Sequence, residues 1–407
     1  MGTRVLKNKN SSFHDASELS DKKGGIKYLI RALIKYDASD LHLRRNRPPI
    51  YRIHGKLLPA SMPSLNEEEV KNILFPIIPP AAWEDLETKK QIDFSFEITG
   101  YGRFRCNIFY FMGTLGASIR RIPFELLTLQ ELRVPATIHQ LIHKPKGLLL
   151  ITGGTGSGKS TTVAAIIEEL NKNERIHIIT IEDPIEFTYK DNKAIITQRE
   201  LKTDFNQMSD ALSAALRQDP DVLVIGEMRD FQTIQTAITA AETGHLVIST
   251  LHSNDAKSTI ERILDVFPAD QQNQVRVQLA NSLIGIFSQQ LISTSDQKSR
   301  VLVSEVLVKS PAIESCIRKN EIQEIQELIS NSEHYYGMQT MNMDLEALVK
   351  QGKISKEEAL INSPNPDDLK LRFSGIDRKE GYDISSEERS NLVKIQMPHS
   401  DPSTQED

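Results

Sequence analysis

The run GLLLITGGTGSGKSTTVAAII at 147–167 joins an apolar strand, a glycine-rich loop and a helix. Its centre, Gly153, Gly154, Thr155, Gly156, Ser157, Gly158, Lys159 and Ser160, satisfies G-x-x-x-x-G-K-[ST]. The chemistry of such a loop is phosphate binding. Successive backbone N–H groups converge on the anion, glycine permits the tight wrap, and the N-terminus of the following helix adds partial positive charge. Lys159 is expected to neutralise the β- and γ-phosphates and Ser160 to offer its hydroxyl to Mg²⁺, with Thr161 completing the nucleotide-binding run. The reading is a nucleoside triphosphate site with Mg²⁺ as its metal.

Hydrolysis needs more, namely a carboxylate that holds the metal or orients water. Two acidic groups end apolar strands downstream: TIEDPIEF sets Glu182, Asp183 and Glu186 around Pro184, and DVLVIGEMRD ends its strand in Glu227. Acids crowded this way are costly unless a cation or a water network uses them. Glu227 is expected on the metal side with Ser160, although Gly226 stands where such NTPases usually carry aspartate. Either Glu182 or Glu227 would orient the attacking water; the residues leave that choice open. The plain structural alternatives are a solvated acidic loop and a pairing of Glu227 with Arg229. His245 and His252 bracket another short strand in TGHLVISTLHSNDA. They are expected to sense the γ-phosphate or a neighbouring subunit.

These groups need a scaffold, and the pattern supplies one. GLLLIT, HIITIE, VLVIGE and HLVIST are short continuous apolar runs that alternate with helical stretches. Continuous hydrophobicity fits strands buried on both faces, hence an α/β fold with a mainly parallel sheet. Upstream, Ile26, Leu29, Ile30, Leu33 and Ile34 repeat at helical spacing, and the alternating runs SDLHLR, IYRIHG, IDFSFEI, GRFRCNIFYF and GASIRRIP predict an antiparallel sheet. The expected organisation is a flexible N-terminus (1–25), an α+β domain (26–122), a connecting segment with a short helix (123–146), the α/β domain that carries the phosphate loop (147–371) and a disordered tail (372–407). The stretch from about 256 to 371 reads as mostly helical, with Ser355 and Glu358 at capping-box spacing.

Composition narrows the function classes. The 407 residues carry a formal net charge of −6, and no Lys/Arg run is interleaved with aromatics, so no nucleic-acid partner is expected. The two cysteines, Cys106 and Cys316, stand far apart, which excludes a Cys₄ zinc site and points to a reducing compartment. No apolar run approaches the roughly 18 residues of a membrane span and no signal peptide is legible, so a cytoplasmic location is expected.

The order GGTGSGKS, TIEDPIEF, DPDVLVIGEMRD and AETGHLVISTLHSNDA resembles the secretion ATPase superfamily and, within it, the PilT/PilU-type retraction ATPases of type IV pili. The likeness spans roughly 26–371 and includes ASDLHL, RFR, RRIP, QRE at 198–200, VFPADQQNQV at 266–275, GMQTMNMDL and ISKEEAL. It implies a PAS-like N-terminal domain, a RecA-like ATPase domain with a helical C-terminal part, and a hexameric ring of this chain, peripheral at the inner membrane. It further implies ATP held between the two domains, with Arg103, Arg105 and Arg120 reaching its phosphates. A membrane platform protein, and a paralogous retraction ATPase, are the implied partners.

The resemblance has departures. Where the retraction ATPases proper carry AIRNLI, this chain has Ala312, Ile313, Glu314, Ser315, Cys316 and Ile317. With FPADQQNQV, SLIGIFSQQL and DLKLRF, this resembles the accessory PilU branch, whereas GEMRD resembles PilT. The function that follows is an ATP-hydrolysing pilus motor subunit that drives or assists retraction. The alternatives are a catalytically weak accessory ring partner and a motor of the type IV secretion class.

Overall fold

The computed structural model describes residues 25–53, 55–122 and 126–375. The terminal segments expected to be flexible lie outside these, except that the C-terminal one begins inside a helix ending at Phe373.

Helix α1 (Ile26–Lys35) buries Ile26, Leu29, Ile30 and Leu33 on one stripe. A helix with such a stripe must cover something apolar. Here it covers a six-stranded sheet made of β1 (Asp40–Arg44), β2 (Ile50–Ile53), β3 (Lys56–Pro59), β4 (Gln91–Ile98), β5 (Gly102–Phe111) and β6 (Thr114–Arg121), in the order β3-β2-β1-β6-β5-β4. Its neighbouring strands pair antiparallel throughout. Alternation along β5 sends Phe104, Cys106 and Ile108 into the core, which also holds Leu29, Leu33, Leu41 and Phe96. It leaves Arg103 and Arg105 on the opposite face. Helix α2 (Glu67–Leu74) opens with a complete capping box from Asn66 and Glu69, and α3 (Trp83–Lys89) leads into β4.

The segment expected as a connector carries α4 (Ala136–Ile142), whose Ile138, Leu141 and Ile142 are buried. A β-carbon placed on Gly285 would lie 2.5 Å from Leu141 Cδ1, so this helix seats on the second sheet through a glycine gap.

That second sheet has seven strands: β7 (Gly147–Thr152), β8 (His177–Glu182), β9 (Ile195–Glu200), β10 (Val222–Ile225), β11 (Leu246–Leu251), β12 (Leu283–Ser293) and β13 (Arg300–Val308). Their order is β13-β12-β7-β11-β10-β8-β9, and from β12 to β9 every neighbouring pair is parallel. β7, β10 and β11 are buried at every position, as continuous apolar runs require. The crossover helices are α5 (Lys159–Asn173), α6 (Met208–Ala215), α7 (Phe231–Glu242), α8 (Ala256–Asp265) and α9 (Gln272–Ser282). The stretch after 256 is mostly helical as expected, but β12 and β13 interrupt it. LIGIFSQQLIS and RVLVSEVLV are rich in β-branched residues, and a short apolar run cannot be told from a buried helix by periodicity alone.

Helices α10 (Pro311–Lys319), α11 (Ile325–Asn331), α12 (Glu333–Tyr336), α13 (Met341–Lys350), α14 (Lys356–Asn362) and α15 (Pro366–Phe373) follow among the described residues. The described residues form two compact units: those up to Leu291 with Ser304–Gln339, and Ile292–Val303 with those from Thr340 onward. The second has its own core of Ile292, Val301, Val303, Leu345, Leu348 and Leu369. Within it the Asn342 amide donates to the Asn365 carbonyl and to Asp368, and Ser355 accepts from the Glu358 amide as its spacing predicts.

Leu29 is fully buried at the contact of α1 with the first sheet. Leu29→Ala should cost about 2–5 kcal/mol, read as a lowered urea midpoint with an unchanged slope.

Candidate nucleotide site

The glycine loop leaves the C-terminal end of β7, between β12 and β11, and Lys159 opens α5. Ligand sites of open α/β sheets lie at such carboxyl edges. Gly153, Gly156 and Gly158 take φ of +146°, +79° and +91°, values that L side chains rarely adopt. At Gly153 the need is also steric: a β-carbon would stand 2.3 Å from the Gln289 carbonyl oxygen and 2.5 Å from Ser157 Oγ. From β12, the Gln289 amide donates to the Ser157 carbonyl at 2.8 Å and so braces the loop. Gln289 Oε1 and Ser157 Oγ remain buried without a partner, acceptor and hydroxyl capacity held inside the loop. Lys159 Nζ donates to the Gly153 and Gly154 carbonyls at 2.8 and 3.0 Å, and burial lowers its pKa against the pull of Glu227 and Glu186. Gly154, Thr155 and Gly156 are exposed along the rim, and Ser160 and Thr161 are half-buried at the start of α5.

Two further strand ends deliver the acids. Glu227 follows β10 in a turn fixed by the Gly226 amide donating to the Ile181 carbonyl and by Thr250 Oγ1 donating to the Gly226 carbonyl. Its carboxylate pairs with Arg229 at 2.7 Å and lies 3.5 Å from His252 Nε2. His252 Nδ1 in turn stands 3.5 Å from Lys159 Nζ. Lys159, His252, Glu227 and Arg229 thus form one chain of groups across three strand ends. The pairing with Arg229 foreseen as a structural alternative exists, and the carboxylate faces His252 as well.

Glu182 ends β8. Thr180 Oγ1 donates to it at 2.6 Å and Gln198 Nε2 at 3.1 Å, while the Glu186 amide reaches its other oxygen at 3.4 Å. Burial outweighs these bonds and pushes its pKa up to about 7. Glu186 itself is exposed. A β-carbon on Gly226 would stand 3.4 Å from Glu182 Cα, an ordinary contact, so the turn after β10 lies close against the Glu182 backbone.

His245 and His252 bracket β11 as expected and so lie at its opposite ends. His245 precedes β11, at the N-terminal edge, and its imidazole Nδ1 faces the Ala240 carbonyl. The six residues of β11, at about 3.3 Å each, put it roughly 20 Å from His252, so within one chain it is not part of this site. The three arginines lie on strands of the first sheet. Arg103 makes a short, buried ion pair with Glu200 of β9, which accepts from Ser95 Oγ too, at 3.1 Å. Arg120 donates to Asp40 at 2.8 Å. Arg105 is exposed and sits directly across from Arg120 in the strand register. Two of the three guanidinium groups are therefore bonded to carboxylates in this conformation, and only Arg103 Nε is a buried donor without a partner.

Sequence reasoning missed Gln289, Thr180 and the pairing role of Glu200. Gln198 and Glu200 were visible inside QRE, but nothing in the order of residues said what they would touch.

The chain matches the family described as Type II/IV secretion system protein over residues 20–363. It is 42% identical to the type IV pilus retraction ATPase PilT of Pseudomonas aeruginosa over 82% of this chain and 97% of that one. It belongs to the PilT/PilU-type secretion ATPases. The PilU ATPase of the same organism is 36% identical over 92% of this chain and 97% of its own length. The crystal structure of the pilus retraction motor PilT with bound ADP superposes with a TM-score of 0.80 at 44% identity, covering 85% of this chain and 99% of that one. Identity is higher to PilT and aligned length greater to PilU, so the leaning toward the accessory branch rests on the segments quoted for it. The chain is an α/β ATPase of this family. Among the described residues no helix is long and apolar enough to cross a membrane.

Two outcomes test the geometry. Gly153→Ala should weaken nucleotide binding about 5- to 150-fold, the equivalent of the roughly 1–3 kcal/mol that overpacking costs, measured by titration of a fluorescent ATP analogue. Glu182 titrates near 4.5 in the unfolded chain and near 7 in the fold. The fold therefore holds the extra proton between these values, and stability falls as pH rises through that window. Glu182→Gln should flatten this fall in a series of urea midpoints.

Proposed function

We propose that this chain is a Mg²⁺-dependent, ring-forming ATPase subunit of a type IV pilus machine that drives or assists retraction. The observation that carries the reading is the chain from Lys159 through His252 to Glu227 and Arg229, which brings three of the four family motifs to one edge of the sheet. A phosphate entering the loop would draw Lys159 Nζ from the Gly153 and Gly154 carbonyls, since a charge-assisted bond to phosphate is the stronger one. The loop amides and the start of α5 would hold the β- and γ-phosphates.

An all-oxygen pair, the Ser160 hydroxyl and the Glu227 carboxylate, fits Mg²⁺, which takes one or two protein oxygens beside phosphates and waters. When bound, Mg²⁺ supplies neutralisation of phosphate charge. Glu182, with a pKa near 7, is suited to orient and deprotonate the attacking water. Glu227, spent on Arg229 and facing His252, is better suited to the metal side. In-line attack on the γ-phosphate then yields ADP and phosphate. Arg103 has to exchange Glu200 for phosphate before it can assist, a step that a closing motion or a neighbouring subunit would supply. Arg105 and Arg120 lie on the same face of the first sheet and would extend that contact. His245, at the far edge, is left to an intersubunit role. The partners proposed are further copies of this chain in a hexamer, a membrane platform protein and a paralogous ATPase, at the cytoplasmic face of the inner membrane.

A second reading, an accessory ring of low turnover, is favoured by α10. At the position of the family arginine stands Glu314, already neutralised by Arg318 at 2.8 Å and Lys309 at 3.4 Å. ATP hydrolysis titrated in protein concentration separates the two. A motor gives turnover that rises cooperatively, and Lys159→Ala or Glu227→Gln lowers kcat about 10²–10³-fold. Negligible turnover with intact ATP binding would favour the accessory ring.

A further inference from the structure

Away from the nucleotide site, α4 and α5 bring two imidazoles and a carboxylate together. His139 and His143 stand one turn apart at the end of α4, with ring centroids 5.0 Å apart. Glu169, in the middle of α5, lies 3.0 Å from His139 Nε2, and one ligand atom from each of the three residues falls within 4.8 Å of the others. Glu174, just past the end of α5, takes His143 Nδ1 at 3.1 Å. Asn173 Nδ2 donates to Glu169 at 2.8 Å and fixes the carboxylate.

Simple ion pairing would account for each histidine meeting its own glutamate. It does not account for the convergence of both rings on Glu169. From these contacts we propose a transition-metal site of two histidines and one glutamate that staples α4 to α5. His139, His143 and Glu169 are the ligands. His143 binds through Nε2, with its Nδ1–H donated to Glu174, the arrangement in which an outer carboxylate sets the tautomer and raises ligand basicity. Imidazole with one carboxylate selects a borderline dication, Zn²⁺ or Co²⁺, over Mg²⁺ or Ca²⁺. Metal–ligand distances of about 2.0–2.2 Å need ligand atoms about 3.3 Å apart in a tetrahedron. His139 is half-exposed and His143 and Glu169 are partly exposed, so their side chains can close the remaining gap by rotation. Water completes the shell.

The position gives the site a consequence. α4 lies on the stretch of chain that joins the two sheets, and α5 begins at Lys159. A bound metal fixes that stretch to the helix whose N-terminus takes the phosphates, so the thermal midpoint should climb with metal concentration.

The test is titration of Co²⁺ into the full-length, nucleotide-free protein, followed by its visible absorption and by displacement with Zn²⁺. The expected result is one saturable equivalent per chain and a rising thermal midpoint. The H139A/H143A double variant should abolish both, Glu174→Gln should weaken binding about 10–100-fold, and Cys316→Ser should change nothing. The last control matters because Cys316, Glu321 and Glu324 also cluster. Should the double variant fold poorly, judged by its thermal midpoint without metal, His143→Gln and Glu169→Gln serve in its place. Absence of saturable binding to the wild type, or binding unchanged in these variants, overturns the site.

Discussion

The phosphate loop can close only because a strand remote in sequence lies against it. β12 stands beside β7, and the Gln289 carbonyl fills the space where Gly153 would carry a β-carbon, while the Gln289 amide holds the Ser157 carbonyl. The loop's curvature is therefore set from outside, by sheet order, as much as by its own glycines. Remove the register of β12 on β7 and the amides have no reason to converge. Parallel pairing in turn demands covered faces, which is why the crossover helices, and the apolar runs that bury against them, are conditions of the nucleotide site.

Electrostatics follow from the same closeness. Burial lowers the Lys159 pKa and raises that of Glu182, so the cation and one acid are both held nearer to neutrality than in water. Glu227 pairs with Arg229 and faces His252. Two acids on neighbouring strand ends thus acquire different characters from their surroundings. One is a group that titrates near neutral pH, the other a neutralised carboxylate suited to a cation.

The pair of Arg103 with Glu200 links a strand of the first sheet to a strand of the second. A guanidinium removed from water is bound by charge-assisted bonds, and exchanging one anion for another costs far less than exposing it bare. The same residue can hence serve a conformation with the carboxylate and another with phosphate. Ser95, which also donates to Glu200, adds a neutral bond to the first of these.

The phosphate loop, its strand and its helix were legible in the sequence because the requirement is local: glycines at fixed offsets, a lysine and a hydroxyl at the helix start. The parallel sheet was legible because strands buried on both faces must be apolar throughout. The α1 stripe predicted a buried face for the same reason, periodicity being a property of adjacent residues. What only the tertiary structure decided depends on neighbours distant in the chain. β12 and β13 fell in a stretch read as mostly helical, and became strands because β12 pairs with β7 and β13 with β12. Gln289 had no signal of its own, since its role is to lie opposite Gly153. His245 and His252 looked equivalent by spacing, yet six residues of extended chain send them to opposite edges. The arginines looked free for phosphate, whereas the fold supplies Glu200 and Asp40 as acceptors. His139, His143 and Glu169 meet only because α4 and α5 pack together, for a side chain's chemistry is its own but its partners are chosen by the fold.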